Sequence, residues 1–113
     1  MPAKHNPLNL NPLQLKTLTL LQELARIAGK PAAEDEGGVA ITELPDPHGD
    51  HFHLGEAVVA ARDATGLRNA SVWAALERKG LIRPQLPQAV ILTALGQEYE
   101  TGLRERILHI AGH

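Results

Sequence analysis

His48, Asp50, His51 and His53 form the densest patch of metal-ligating chemistry in this chain. Imidazole nitrogens and a carboxylate oxygen are donors that zinc accepts. On a strand, His51 and His53 project to the same side, and Asp50 or His48 is placed to close a site from the turn before them. Nearby acids, Glu43, Asp46 and Glu56, favour a cation. The spacing matches no specific zinc pattern, and an exposed histidine-rich turn is the plainer reading. Zinc is the one cofactor these residues suggest, and nothing else in the chain implies another. Histidine also brings the option of a pH response.

A second group lies further along. Arg68, Asn69 and Ser71 stand where a helical pattern begins, the end of a helix that meets phosphates or base edges when a helix enters a groove of duplex DNA. Arginine and asparagine make bidentate contacts with guanine and adenine. Arg78, Lys79 and Arg83 follow at the far end of that pattern and just beyond it, placed to neutralise phosphates. Each has a plainer role as well: Asn69 as a helix N-cap, Arg68 as a solvated cation, the later basic residues as partners of the helix dipole. Enzyme chemistry is not expected. The chain has no glycine-rich phosphate loop and no paired-carboxylate motif, and Ser71 and Thr93 sit at helix starts without an adjacent histidine.

The charge balance is informative mainly in its distribution. A net charge of −2 over 113 residues is unlike a strongly basic nucleic-acid binder. Val39 to Ala61 carries Glu43, Asp46, Asp50 and Glu56 with no Lys or Arg, whereas Gly66 to Gln88 carries Arg68, Arg78, Lys79 and Arg83 against Glu77 alone. That local asymmetry suits a modest DNA-binding face.

The elements that must hold these residues follow from spacing. Residues 1–10 read as an extended arm, and residues 11–110 as one domain. Asn11-Pro12 starts a first helix, with asparagine as N-cap and proline at the first turn. Leu13, Leu20, Leu21, Leu24 and Ile27 recur at helical spacing, widened by Leu15 and Leu18, up to Gly29-Lys30-Pro31. Val39–Leu44 and His51–Leu54 read as a hairpin across a turn-rich link, with a lone strand and loop as the alternative. A second helix is expected over about residues 55–64, with Ala57, Val58 and Ala61 inward. Thr65-Gly66 then turns the chain into a third helix over about 69–79, where Val72, Trp73 and Leu76 face the core. Residues 81–83 and 89–92 should pair across Pro84–Pro87. Thr93 should cap a last helix bearing Leu95, Tyr99, Leu103, Ile107 and Ile110.

In that order, Asn11-Pro-Leu-Gln-Leu-Lys-Thr-Leu-Thr-Leu-Leu21, Leu76-Glu-Arg-Lys-Gly-Leu-Ile82 and Leu92-Thr-Ala-Leu-Gly96 resemble the successive signatures of MarR-like winged-helix proteins. The resemblance implies a mainly α, α+β fold, a winged helix-turn-helix with a small antiparallel hairpin as its wing. It also implies a homodimeric transcription regulator that binds duplex DNA. In that family the segment ending in Leu76–Ile82 would be the recognition helix. The interval from Gly66 to Leu76 is about a turn shorter than the family's, and the wing lacks an Asp-Arg-Arg sequence. The link from Gly29 to Leu54 is longer and more acidic. These departures suit the alternative, an interaction or assembly module of the same fold without groove contact.

The leucine-rich first helix offers more apolar surface than one small domain is expected to cover, which points to a homodimer through the first and last helices. The chain has no cysteine, no leader segment is apparent, and Leu13–Ala28 carries Lys16, Glu23 and Arg26. A soluble, cytoplasmic protein is therefore the expectation.

Overall fold

The computed structural model describes residues 6–32, 37–46, 49–85 and 89–110. Its architecture is four helices packed against two antiparallel sheets. Helix α1 spans Pro12–Ala28, α2 Ala70–Arg78, α3 Ala94–Glu98 and α4 Arg104–Ile107. The strands are β1 Lys30–Pro31, β2 Val39–Ile41, β3 His51–Leu54, β4 Ala57–Ala60, β5 Ile82–Gln85, β6 Ala89–Leu92 and β7 His109–Ile110. One sheet has the order β1-β2-β6-β5 and the other β3-β4-β7.

Helix α1 starts as its residues require. Asn11 Oδ1 accepts from the Gln14 backbone N–H at 2.8 Å, and Gln14 Oε1 accepts from the Asn11 backbone N–H at 3.1 Å. This reciprocal capping box, with Pro12 at the first turn, satisfies donors that would otherwise be orphaned. The helix is enclosed by the chain's own elements: Leu18, Leu20 and Leu21 are fully buried, alongside Leu54, Val59 and Leu92 from the two sheets, Leu76 from α2 and Leu67 from the turn before it. Three of its inward groups are polar, among them Thr17, whose hydroxyl donates to the Leu13 carbonyl. Thr19 Oγ1 meets Thr101 Oγ1, and Glu23 is held by Arg26 and by Arg104 from α4.

The expected winged helix-turn-helix is overturned at residues 55–64. Ala57–Ala60 is a strand paired with β3, in the register Phe52↔Val59 and Leu54↔Ala57. Two adjacent valines and a burial pattern alternating between buried and half-buried follow the two-residue period of a strand. Gly55, at φ +60, makes the tight turn that joins the two strands. Two short 3-10 turns, Ala61–Asp63 and Thr65–Arg68, lead into α2, so the α-helix expected over residues 55–64 is not formed. Gly66 does not serve there by a positive φ. It serves by closeness, since an added Cβ would lie 1.9 Å from Thr17 Oγ1 on α1.

Two further expectations are corrected. β2 pairs with β1 and β6 and not with β3, so neither the expected hairpin of residues 39–54 nor the alternative of one strand and a loop is found: both segments are strands, in different sheets. The single last helix is broken into α3 and α4, with Gly102 at φ +73 between them, and the chain ends its described part as β7 on the free edge of β4. The expected pairing of residues 81–83 with 89–92 is found as 82–85 with 89–92, so Pro84 and Gln85 belong to the strand and not to the link, while the Asn69 cap of α2 and the Thr93 cap of α3 are as expected. The tip of that hairpin, 86–88, lies outside the described residues. Among the described residues no helix is long and apolar enough to cross a membrane.

Candidate functional site

Helix α2 carries most of the sequence candidates, and the structure gives several of them internal work. Asn69 Oδ1 accepts from the backbone N–H groups of Ser71 at 2.9 Å and Val72 at 3.3 Å, which is N-capping. The exposed Arg68 guanidinium donates to the Pro45 carbonyl and to Asp46 Oδ1, both at 3.2 Å. Lys79 Nζ donates to the Leu8 carbonyl at 2.7 Å and ties down the end of the expected arm. Asn6 and Leu8 also meet the Tyr99 hydroxyl, so residues 6–10 pack as part of the domain. Ser71 and Arg78 are exposed on α2, and Arg83 is exposed on β5. Arg68 and Lys79 therefore flank opposite ends of a nine-residue helix that is itself roughly 13 Å long. The six residues do not converge on one point.

What does converge is a groove of about 430 Å³ along one side of α2, lined by Leu44, Leu67, Trp73 and Pro84 with the small Ala70 and Ala74. Arg68, Asn69 and Glu77 form its polar rim. Trp73 is half-buried, and its ring leans on the core. Its indole Nε1 is the buried side-chain donor that lacks an acceptor among the described residues. An unmatched buried N–H costs about 1–3 kcal/mol, so most such groups are paired. The sequence reading assigned Trp73 to the core and missed the groove. A signal was present: Ala70, Trp73, Ala74 and Glu77 share one helical face, where two small residues flank the chain's one tryptophan and leave room beside it.

The histidine cluster is partly assembled. His51 and His53 share the outer face of β3, where Phe52 and Leu54 point inward. Their Nε2 atoms lie 3.1 Å apart with the rings edge-to-face, and Asp50 Oδ1 lies 3.2 Å from His51 Nδ1. The hydrogen bond from His51 holds the Asp50 carboxyl below its usual value, with help from the Asp50 backbone N–H. His48 lies outside the described residues. Among the described residues, no group of three or more metal-binding side chains is assembled.

A second cavity, of about 580 Å³, opens between α1, the β3–β4 turn and α4, and contains Glu23, Arg26, Glu56, Arg104 and Glu105. Glu23 is 2% exposed and takes hydrogen bonds from both arginines. Burial pushes its pKa up, but the Arg26 and Arg104 guanidinium groups outweigh that and hold it below 4.5. A buried carboxylate so matched is part of the frame, joining α1 to α4. Arg26 follows Glu23 at the i,i+3 spacing of one helix, whereas Arg104 arrives only through the break at Gly102.

Ser71 and Thr93 both stand at helix starts. Ser71 is exposed on the first turn of α2, and the Thr93 hydroxyl donates to the Gly80 and Leu81 carbonyls and accepts from the Gly96 N–H. Compared with protein-family models, curated proteins and solved structures, the chain finds no match.

Proposed function

We propose that this protein acts by docking, as a non-enzymatic interaction module whose contact surface is the groove along α2. Its occupant is a segment of a protein partner that seats one apolar side chain among Leu44, Leu67, Trp73 and Pro84. The observation that carries this reading is Trp73, a large half-buried aromatic that lines an apolar groove between two small residues. Tryptophan beside a pocket is the residue type that anchors protein interfaces. Arg68 and Glu77, of opposite sign on the rim, would orient the segment.

Duplex DNA binding is the competing reading, favoured by the outward positions of Ser71 and Arg78 on α2. Against it stand the engagement of Lys79 and Arg68 within the fold and the net charge of −2. Selection from a displayed peptide library, followed by titration of the recovered peptides against Trp73 fluorescence, tests the docking reading. Binding should change the emission of this one tryptophan and be lost in Ala74→Arg, which fills the groove from an exposed position. Peptides that bind Ala74→Arg as well as the parent would overturn it, as would salt-sensitive duplex affinity lost in Arg78→Ala.

A further inference from the structure

We infer that the outer face of β3 is a binding site for a first-row divalent cation of imidazole preference, such as Zn²⁺, Ni²⁺ or Cu²⁺, held between His51 Nε2 and His53 Nε2. The geometry carries this. Two nitrogens each about 2.0–2.1 Å from one zinc ion stand about 2.9–3.4 Å apart, depending on whether the angle at the metal is square or tetrahedral. The two Nε2 atoms are 3.1 Å apart, with the rings at 79°. The strand places them so: residues two apart share a face, and inward Phe52 and Leu54 anchor that face outward.

The surroundings fit a ligand role. Asp50 Oδ1 lies beside His51 Nδ1, the outer-shell carboxylate that fixes which ring nitrogen is left for a metal and raises its basicity. On the same sheet face His109 of β7 stands across Val58 from His53, through the pairs His53↔Val58 and Val58↔His109. Two strand spacings of about 4.8 Å put it roughly 10 Å away, too far to share the ion directly. Among the described residues these two rings are the donors that face each other, and a ligand or a second chain could add further ones. Imidazole nitrogen favours copper over zinc and nickel in affinity.

The test is calorimetric titration of the full chain with the metal alone, as the chloride in a non-chelating buffer, for zinc and for nickel. One ion should bind per chain. His51→Ala and His53→Ala should each weaken binding by roughly tenfold or more, and Asp50→Asn by about tenfold. His109→Ala should leave it unchanged. Because all four side chains are on the surface, circular dichroism should report folded variants. As a second readout, paramagnetic Ni²⁺ should broaden the ring proton signals of His51 and His53 before those of His109. Binding that survives both single variants, broadening centred on His109, or no heat of binding would leave the pair as two hydrogen-bonded rings and overturn the proposal.

Discussion

Lys79 Nζ donates to the Leu8 carbonyl at 2.7 Å, joining the end of α2 to a residue 71 positions earlier. A charged donor on a part-buried carbonyl is a stabilising contact, so Lys79 belongs to the frame. Lys79→Met should lower stability by about 1–2 kcal/mol and raise hydrogen exchange at Leu8 and Leu10, whose amides bond to Tyr99 and Asn6. Unchanged exchange there would show that the contact does not hold the segment.

Gly66→Ala should destabilise by about 1–3 kcal/mol through overpacking, because the new methyl would meet Thr17 Oγ1 at 1.9 Å. Adding Thr17→Ala should recover part of that loss, although it also removes the Thr17 hydroxyl bond to the Leu13 carbonyl. Denaturant unfolding of the two single variants and the double variant measures the coupling. Strict additivity would contradict the predicted clash.

The Glu23 carboxyl has a folded-state pKa below 4.5, so its ionised form is favoured by folding. Its contribution is therefore complete above pH 4.5 and is lost as pH falls from there through the lowered value. Urea midpoints of the parent should drop over that acid window more steeply than those of Glu23→Gln. At neutral pH Glu23→Gln should cost about 1–2 kcal/mol, since Arg26 and Arg104 lose their carboxylate but remain largely exposed to solvent. Equal pH profiles for the two proteins would refute the assignment.

Trp73→Phe should cost less than about 1 kcal/mol, because deleting an unmatched N–H offsets part of the lost packing. Trp73→Ala should cost about 2–3 kcal/mol, in keeping with a half-buried ring. Thermal melts at fixed pH compare them. A phenylalanine variant as unstable as the alanine variant would mean that Nε1 has a partner.

Fluorescence anisotropy with random duplex DNA should show little affinity even at low ionic strength, and Arg68→Ala should change it little, since that guanidinium already pairs with Asp46. Strong binding with a steep salt slope would restore the nucleic-acid reading.

The helix starts were legible because their chemistry is local: Asn11 with Pro12, Asn69 and Thr93 each bond a backbone N–H within three residues. The β5–β6 hairpin was legible for the same reason. Ala57–Ala60 was not, because alanine and valine on both sides of the segment fit a helical stripe as well as a strand, and pairing with β3 and β7 decides between them. The apolar stripe through Leu95, Tyr99 and Leu103 concealed the break at Gly102. Of the candidate site residues, the His51–His53 pair was readable from strand alternation. The groove beside Trp73 was hidden because Leu44 and Pro84 come from distant parts of the chain.

The place of β2 in its sheet has a kinetic consequence. Val39 pairs with Leu92 and Ile41 with Val90, so β2 must wait until most of the chain has been sorted before it finds its neighbour. The two hairpins, β3–β4 and β5–β6, close over short loops and can form on the microsecond scale. The docking of β2 onto β6, like that of β7 onto β4, is a non-local step that pays loop-closure entropy before any contact compensates it. Until it happens, the apolar run Val90-Ile91-Leu92 presents an unpaired strand edge, and dilute refolding at low temperature is the condition under which this chain should best avoid self-association.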